Sequence, residues 1–109
     1  MFPNGSLAVV EPTKVRDYLL SASHPVGRFK AVVFVALGYT RQNWMRLRDD
    51  LLTHAVSGDA TPGEPNPYGQ KFTVSGTLTW PNGRAGQFTT VWLVESASSV
   101  PRFLTAYPE

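Results

Sequence analysis

The spacing of apolar residues changes once along this chain, from helical spacing before Gly69 to alternation after it. A helix places its apolar side chains three or four residues apart, whereas a half-buried strand places them two apart. Helices grouped ahead of strands are typical of a domain in which the helices pack on one sheet. We therefore predict an α+β domain with three N-terminal helices packed on a C-terminal antiparallel sheet of three to four strands.

The three predicted helices span residues 12–20, 26–37 and 41–56. Pro12 stands at the first helical position, where its missing N–H breaks no hydrogen bond. The second helix is apolar nearly all round and is expected to be buried, with Gly38 ending it. Thr40 is the expected N-cap of the third helix. Together these segments account for most of the chain ahead of Gly69.

The strands are predicted from alternation at residues 72–80, 87–95 and 102–107, with a short fourth strand at residues 7–10. Residues 59–69 contain three prolines and two glycines, so this segment is expected to be a long loop. Asn82-Gly83 predicts a hairpin turn in which both residues have positive φ. The 87–95 strand is apolar on both faces and is expected to be the central one.

Length and composition limit the possible functions. A chain of 109 residues is long enough for one core, so we predict a single domain over residues 1–109. With no cysteine and two histidines, neither a metal nor another cofactor is expected. The apolar run from Ala31 to Leu37 is far short of the roughly 20 residues of a membrane span. No membrane association and no signal peptide are indicated, and a cytoplasmic protein is expected.

Positive charge is concentrated in the first half of the chain. Before residue 58 there are seven Lys and Arg against four acidic residues, a net charge of +3, and the remainder carries −1. Such a distribution can present a face that attracts phosphate. It is equally consistent with the solvated outer side of three helices.

The segment from His24 to Lys30 carries the most chemistry. A histidine near pH 7 can accept or donate the proton that moves during phosphodiester cleavage by the RNA 2′-hydroxyl. Arg28 and Lys30 are candidates for binding the phosphate and its developing charge. The alternative is that His24 is an exposed loop residue beside the turn at Pro25.

The last strand offers a second group of candidates. Alternation places Arg102, Leu104 and Ala106 on one side and Phe103, Thr105 and Tyr107 on the other. Thr105 and Tyr107, with Thr90 or Thr89 of the neighbouring strand, could form a row of hydroxyls that holds a phosphate. The same residue types are also ordinary strand formers. His54 is expected to interact as a cation with the C-terminal end of the third helix rather than to act in catalysis.

These motifs resemble those of a family of small uncharacterised bacterial and phage-associated domains. The shared motifs are H-P-x-G-x-x-K-A, L-G-[YF], V-W-x-V and P-R-x-x-T-A-Y-P, which stand here at residues 24–31, 37–39, 91–94 and 101–108. The resemblance extends from Val15 to Pro108. Phe29 stands where that family often has a basic or histidine residue.

A looser resemblance is to the ribonuclease toxins of the barnase–EndoU–colicin–RelE grouping, which cleave RNA without a metal. It implies a metal-independent ribonuclease-like domain, the toxin of a toxin–antitoxin or phage system, with RNA and an antitoxin as partners. His24, Lys30, Thr105 and Tyr107 would be catalytic, and Arg28, Lys30 and Thr90 would bind phosphate.

The alternative is a non-catalytic protein-interaction domain, such as an antitoxin, an immunity protein or a phage-encoded inhibitor. It would dock a protein partner through the ends of the third helix or through the 59–69 segment.

Overall fold

The helices precede a single antiparallel sheet, and the predicted α+β class is confirmed. The computed structural model describes residues 4–21 and 27–108, with only the backbone for residues 27–29. The helical elements are a 3₁₀ turn (Gly5–Leu7), α1 (Pro12–Lys14) with a π-helical continuation (Val15–Leu19), α2 (Gly27–Ala36) and α3 (Trp44–Ser57). The strands are β1 (Asp59–Pro62), β2 (Gly69–Thr79), β3 (Ala85–Glu95) and β4 (Arg102–Pro108).

The sheet is a four-stranded meander in the order β1-β2-β3-β4, with every neighbouring pair antiparallel. β3 lies between β2 and β4, which confirms that the 87–95 strand is central. Its core face packs against the helices, and residues directly opposite one another on two strands share a face. The largest fully buried side chains are Trp92, Tyr39, Phe34, Phe88, Leu19, Leu47 and Leu51.

The first helix begins at Pro12, as predicted, but it is not regular. After one α-helical turn it widens, and the Leu20 N–H donates to the Val15 carbonyl five residues back, at 3.0 Å. This π-helical turn buries both Val15 and Leu19. Leu20, which follows Leu19, is also buried at 4% exposed, so the turn ends with two adjacent residues in the core.

The expectation that α2 is buried all round is wrong. Phe34 is 1% exposed, whereas Val32 and Val35 are 73% and 56% exposed. The helix is an outer layer with one face on the sheet, so its other side chains contact solvent although they are apolar. Gly38 ends the helix with a φ of 104°. A Cβ there would lie 3.0 Å from the Asn82 nitrogen, and the Asn82 N–H donates to the Leu37 carbonyl at 3.2 Å.

The predicted N-cap of the third helix is also wrong. α3 begins at Trp44, and Thr40 instead closes a turn ahead of it, its hydroxyl accepting from the Asn43 N–H at 3.1 Å. Arg41 lies in that turn and donates to Asp17 of the first helix at 2.9 Å. Thr40 therefore stabilises the turn that joins α2 to α3 and does not cap α3.

The 59–69 segment is not wholly a loop, because its first four residues form β1. Pro62 is compatible with a strand here since β1 is at the edge of the sheet. The hairpin between β2 and β3 is confirmed at Pro81-Asn82-Gly83, but of its turn residues only Gly83 has positive φ. The Gly83 N–H donates to the Trp80 carbonyl at 3.0 Å, as in a three-residue hairpin loop.

A bulge in β4 overturns the alternation predicted for that strand. Trp92 pairs with Phe103 but Val91 pairs with Thr105, so Leu104 is an extra residue. The buried positions are accordingly Phe103 and Ala106, three residues apart. Residues 7–10 do not form the predicted strand; Val9 makes one isolated parallel bridge to β4.

Candidate functional site

Lys30 is held against the end of β4. It lies at the end of the first turn of α2, and its Nζ donates to the Ala106 carbonyl oxygen at 3.1 Å. The same nitrogen lies 5.4 Å from the centroid of the Tyr107 ring, within the range of a cation–π contact. Lys30 therefore contacts the strand that carries Thr105 and Tyr107.

The bulge places Thr105 and Tyr107 together on the outer face of the sheet. They lie directly opposite Val91 and Thr89 of β3, away from the core-facing Ala106. Tyr107 is 43% exposed and Thr105 is half-buried. Lys30, Thr105 and Tyr107, three of the predicted catalytic residues, therefore lie near one another in the structure, and we refer to them as the β4-end cluster.

Tyr18 is a fourth member of this neighbourhood that the sequence analysis missed. Its hydroxyl lies 3.5 Å from the Thr105 Oγ1, and either oxygen can donate. Lys14, one turn earlier, places its Nζ 5.4 Å from the Tyr18 ring centroid. The spacing of Lys14 and Tyr18, four residues apart on one helix, was the available signal.

Thr90 does not join the β4-end cluster. It is opposite Ala106 on the core face and is fully buried. Its hydroxyl oxygen accepts from Trp92 Nε1 at 2.8 Å and lies 3.0 Å from His54 Nδ1. The predicted row of hydroxyls is therefore divided between the two faces of the sheet, and Thr90 belongs to a buried network instead.

His54 has a structural role, as expected, but by a different mechanism. It is 1% exposed, and its Nε2 lies 2.9 Å from the Phe88 carbonyl and 3.2 Å from the Gly76 carbonyl. Because carbonyl oxygens only accept, Nε2 carries a proton and donates to them. The ring is therefore bonded to groups of the sheet rather than to the carbonyl groups at the end of its own helix.

Two arginines share one carboxylate beside the first helix. Arg16 and Arg41 both bind the Asp17 carboxylate, at 3.3 Å and 2.9 Å, and with Gln42 they line a shallow groove. Hydrogen bonds from Arg16 and then Arg41 hold the pKa of the exposed Asp17 carboxyl below its usual value. One carboxylate against two guanidinium groups leaves this groove with a net positive charge.

The remaining predicted site residues are only partly described. His24 lies outside the described residues, in the stretch between Ser21 and α2. Arg28 is in the first turn of α2, and its side chain lies outside the description. Within residues 4–21 and 27–108 no three His, Asp or Glu side chains converge as metal ligands, and no helix is long and apolar enough to span a membrane.

Comparisons with known proteins identify a family and a fold. A family model described as a domain of unknown function, DUF6883, matches residues 1–109. No curated protein matches the chain significantly. A chain in a solved complex of a contact-dependent growth inhibition toxin with its immunity protein, from Klebsiella pneumoniae 342, is similar in structure. The two are 22% identical with a TM-score of 0.72 over 97% of each chain, so the likeness is one of fold.

Proposed function

The chain belongs to the DUF6883 family of domains of unknown function, and we propose that it is a toxin-type ribonuclease that cleaves RNA by acid–base chemistry without a metal ion. The observation that carries the proposal is the β4-end cluster. An ammonium group and two hydroxyl groups lie within one neighbourhood on a solvent-facing strand end. The similar fold of a chain from a toxin–immunity complex supports the toxin class.

The reaction assigned to the cluster is a transfer within RNA. The 2′-hydroxyl attacks the adjacent phosphorus, a bond to the 5′-oxygen breaks, and one proton is removed while another is given to the leaving oxygen. His24 is proposed as general acid or base, as the sequence motif implies. Lys30 and Arg28 would bind the phosphate, and the hydroxyls of Thr105 and Tyr107 would orient it.

The distribution of charge supports an RNA substrate. Lys14 and Lys30 each lie 5.4 Å from a tyrosine ring, that of Tyr18 and that of Tyr107 respectively. The Tyr18 hydroxyl contacts Thr105, and Tyr107 follows Thr105 by two residues on β4. Single-stranded RNA is bound by cations that contact its phosphates and by aromatic rings on which bases stack. The groove of Arg16 and Arg41 is a second patch of net positive charge on the described surface. RNA in the cytoplasm is therefore the proposed substrate.

A second candidate, a protein-binding domain such as an immunity protein, is favoured by a different observation. Val32 and Val35 are exposed side by side on α2, and Tyr68 in the predicted docking segment is 82% exposed. Tyr68 is held in a tight turn, its N–H donating to Asn66 Oδ1 at 2.8 Å. Rigid exposed aromatic residues are common anchors of protein interfaces.

Cleavage of purified RNA in EDTA distinguishes the two candidates. We expect the native protein to cleave, and His24→Ala, Lys30→Gln and Tyr107→Phe to lose roughly 10²-fold or more in rate. Lys71→Gln is the matched control, because Lys71 is an exposed lysine on β2 and should retain activity within about twofold. Thermal unfolding of each variant separates lost chemistry from lost structure.

Two results would contradict the ribonuclease assignment. If the native protein leaves RNA intact, or if the three variants cleave as well as Lys71→Gln does, the cluster is not the active site. Growth of a bacterial host that expresses the native protein without arrest would then favour the protein-binding candidate.

A further inference from the structure

β1 covers only half of the edge of β2. The last paired residues are Asp59 and Ser75, and β2 continues for four more residues to Thr79. β3 pairs with β2 along this whole stretch, to Ala85 opposite Thr79. The part of β2 beyond Ser75 therefore has a strand on one side and none on the other.

The backbone groups on this uncovered edge belong to Thr77 and Thr79. The Gly63 N–H donates to the Lys71 carbonyl at 2.8 Å, which shows that the odd-numbered residues of β2 direct their N–H and C=O groups toward β1. The Trp80 N–H donates to the Arg84 carbonyl at 2.7 Å, on the side of β3, as expected for an even-numbered residue. Within residues 4–21 and 27–108, no backbone hydrogen bond to Thr77 or Thr79 from that side is present.

α3 turns this open edge into a groove. Its lining comes from the polar face of α3 and from Thr77 to Thr79, and it encloses about 230 Å³. Small-molecule pockets are larger, at roughly 300–1,000 Å³. A narrow channel between a helix and an unpaired strand edge is the geometry in which an extended peptide adds a strand to a sheet.

Arg46 gives the groove a polar contact for such a peptide. Its Nε donates to Asp50 Oδ2 at 3.1 Å, and that carboxylate also accepts from the Tyr39 hydroxyl at 2.7 Å. The Arg46 side chain is 45% exposed, and its terminal nitrogens make no hydrogen bond within the described part of the chain. A carboxylate or amide oxygen from a peptide side chain directed at α3 would meet these nitrogens.

We propose that this groove binds an extended segment of a partner protein, which pairs with Thr77 and Thr79 as an added strand and directs an acidic or amide side chain at Arg46. The inference does not depend on the proposed ribonuclease activity, since the groove is at the opposite end of the strand order from β4.

The other two edges of the sheet are unsuited to strand addition. On β1, the Gly63 N–H points toward β2, so the backbone nitrogen of the preceding residue, Pro62, points away from the sheet. Because proline has no N–H, this position cannot donate to an added strand. On β4, the Phe103 N–H already donates to the Val9 carbonyl at 3.0 Å, and Lys30 occupies the Ala106 carbonyl. Native sheets block their edges in this way. The uncovered stretch of β2 is the exception among the described strands.

Selection from a library of random octapeptides tests the proposal. We expect the selected peptides to bind the native protein and to bind Thr77→Pro and Thr79→Pro at least tenfold more weakly. Proline removes only the outward N–H at these positions, so the ladder between β2 and β3 is retained. Thr77→Ala and Thr79→Ala keep the N–H and are the matched controls, with binding expected within about twofold of native.

Amide hydrogen exchange on the native protein provides a readout that needs no variant to fold. Peptide binding should slow exchange at Thr77 and Thr79 at least tenfold and leave Thr73, which already pairs with β1, unchanged. The proposal is overturned if no peptide is selected, if the proline variants bind as well as the alanine variants, or if protection appears on β4 instead. Since RNA cleavage is measured separately, failure here leaves the ribonuclease proposal standing.

Discussion

The Nε2 atom of His54 donates to the Phe88 carbonyl oxygen across 2.9 Å and so joins the last turn of α3 to the middle of β3. The ring is 1% exposed, and Thr90 completes the network by connecting His54 to Trp92. Buried polar groups of this kind stabilise a fold only while every member is paired. The network therefore makes the core sensitive to single polar substitutions.

Thr90→Val should lower the free energy of unfolding by about 1–3 kcal/mol, because it removes the buried hydroxyl that bonds to both His54 Nδ1 and Trp92 Nε1. Thr73→Val on β2 is the matched control, since Thr73 is exposed and should change stability by less than about 0.5 kcal/mol. Urea unfolding with an unchanged m-value would measure both. Equal losses of unfolding free energy in the two variants would show that the hydrogen bonds of Thr90 do not stabilise the fold.

Gly76→Ala should destabilise the protein even though alanine is the better strand residue. A Cβ at Gly76 would lie 3.1 Å from the Gly58 Cα and 3.6 Å from His54 Nε2, so the end of α3 would have to move. We expect a loss of about 1–3 kcal/mol in thermal or urea unfolding. Gly63→Ala, whose nearest contact would be 3.4 Å, should be close to neutral, and a neutral Gly76→Ala would contradict the close approach.

Tyr39→Phe should change how stability depends on alkaline pH. Burial, and then the hydrogen bond to Asp50, raise the pKa of Tyr39 above its ordinary value of 10.0. Above that value the unfolded chain loses the proton while the folded protein keeps it, so native stability falls as pH rises. Between pH 10 and 11 the native protein should lose about 1 kcal/mol more than Tyr39→Phe does.

Tyr68→Phe is the control for that titration, because Tyr68 is 82% exposed and its substitution should leave the alkaline slope of the native protein unchanged. If Tyr39→Phe shows the same slope as the native protein, the buried tyrosine is not the group responsible. Unfolding free energies at pH 9, 10 and 11 are sufficient to decide.

Val32→Gln and Val35→Gln should change the unfolding free energy by less than about 0.5 kcal/mol each, because both side chains contact solvent. Phe34→Ala between them should cost about 3–5 kcal/mol, since its ring packs on Phe88 with centroids 5.6 Å apart. Circular dichroism melts would compare the three. A loss above about 1 kcal/mol for either glutamine variant would mean that this face is covered.

The order of elements could be predicted from the sequence because it depends on local spacing. The change in the spacing of apolar residues at Gly69 distinguished the three helices from the last three strands, and the turn at Gly83 was predicted correctly. β1 was missed since Pro62 and Gly63 are typical of loops, and only the position of this strand at the sheet edge makes the proline acceptable. The bulge at Leu104 has no glycine or proline to indicate it.

The candidate site was predictable only in part, for a related reason. Lys30, Thr105 and Tyr107 were chosen by residue type, and their proximity results from tertiary packing. Tyr18 and Thr105 are 87 residues apart in sequence, so no local pattern could pair them. Thr90 was assigned to the wrong face because its neighbours Thr89 and Val91 are equally plausible strand residues.

α2 is hydrogen-bonded to the sheet near both of its ends. Lys30 bonds to the end of β4, and the Leu37 carbonyl accepts from Asn82 at the tip of the β2–β3 hairpin. These points are seven residues apart along a helix that rises 1.5 Å per residue, or roughly 10 Å. A tilt or a slide of α2 relative to the sheet would therefore break one of these two hydrogen bonds. Lys30 thus links the position of the helix to that of the strand that carries Thr105 and Tyr107.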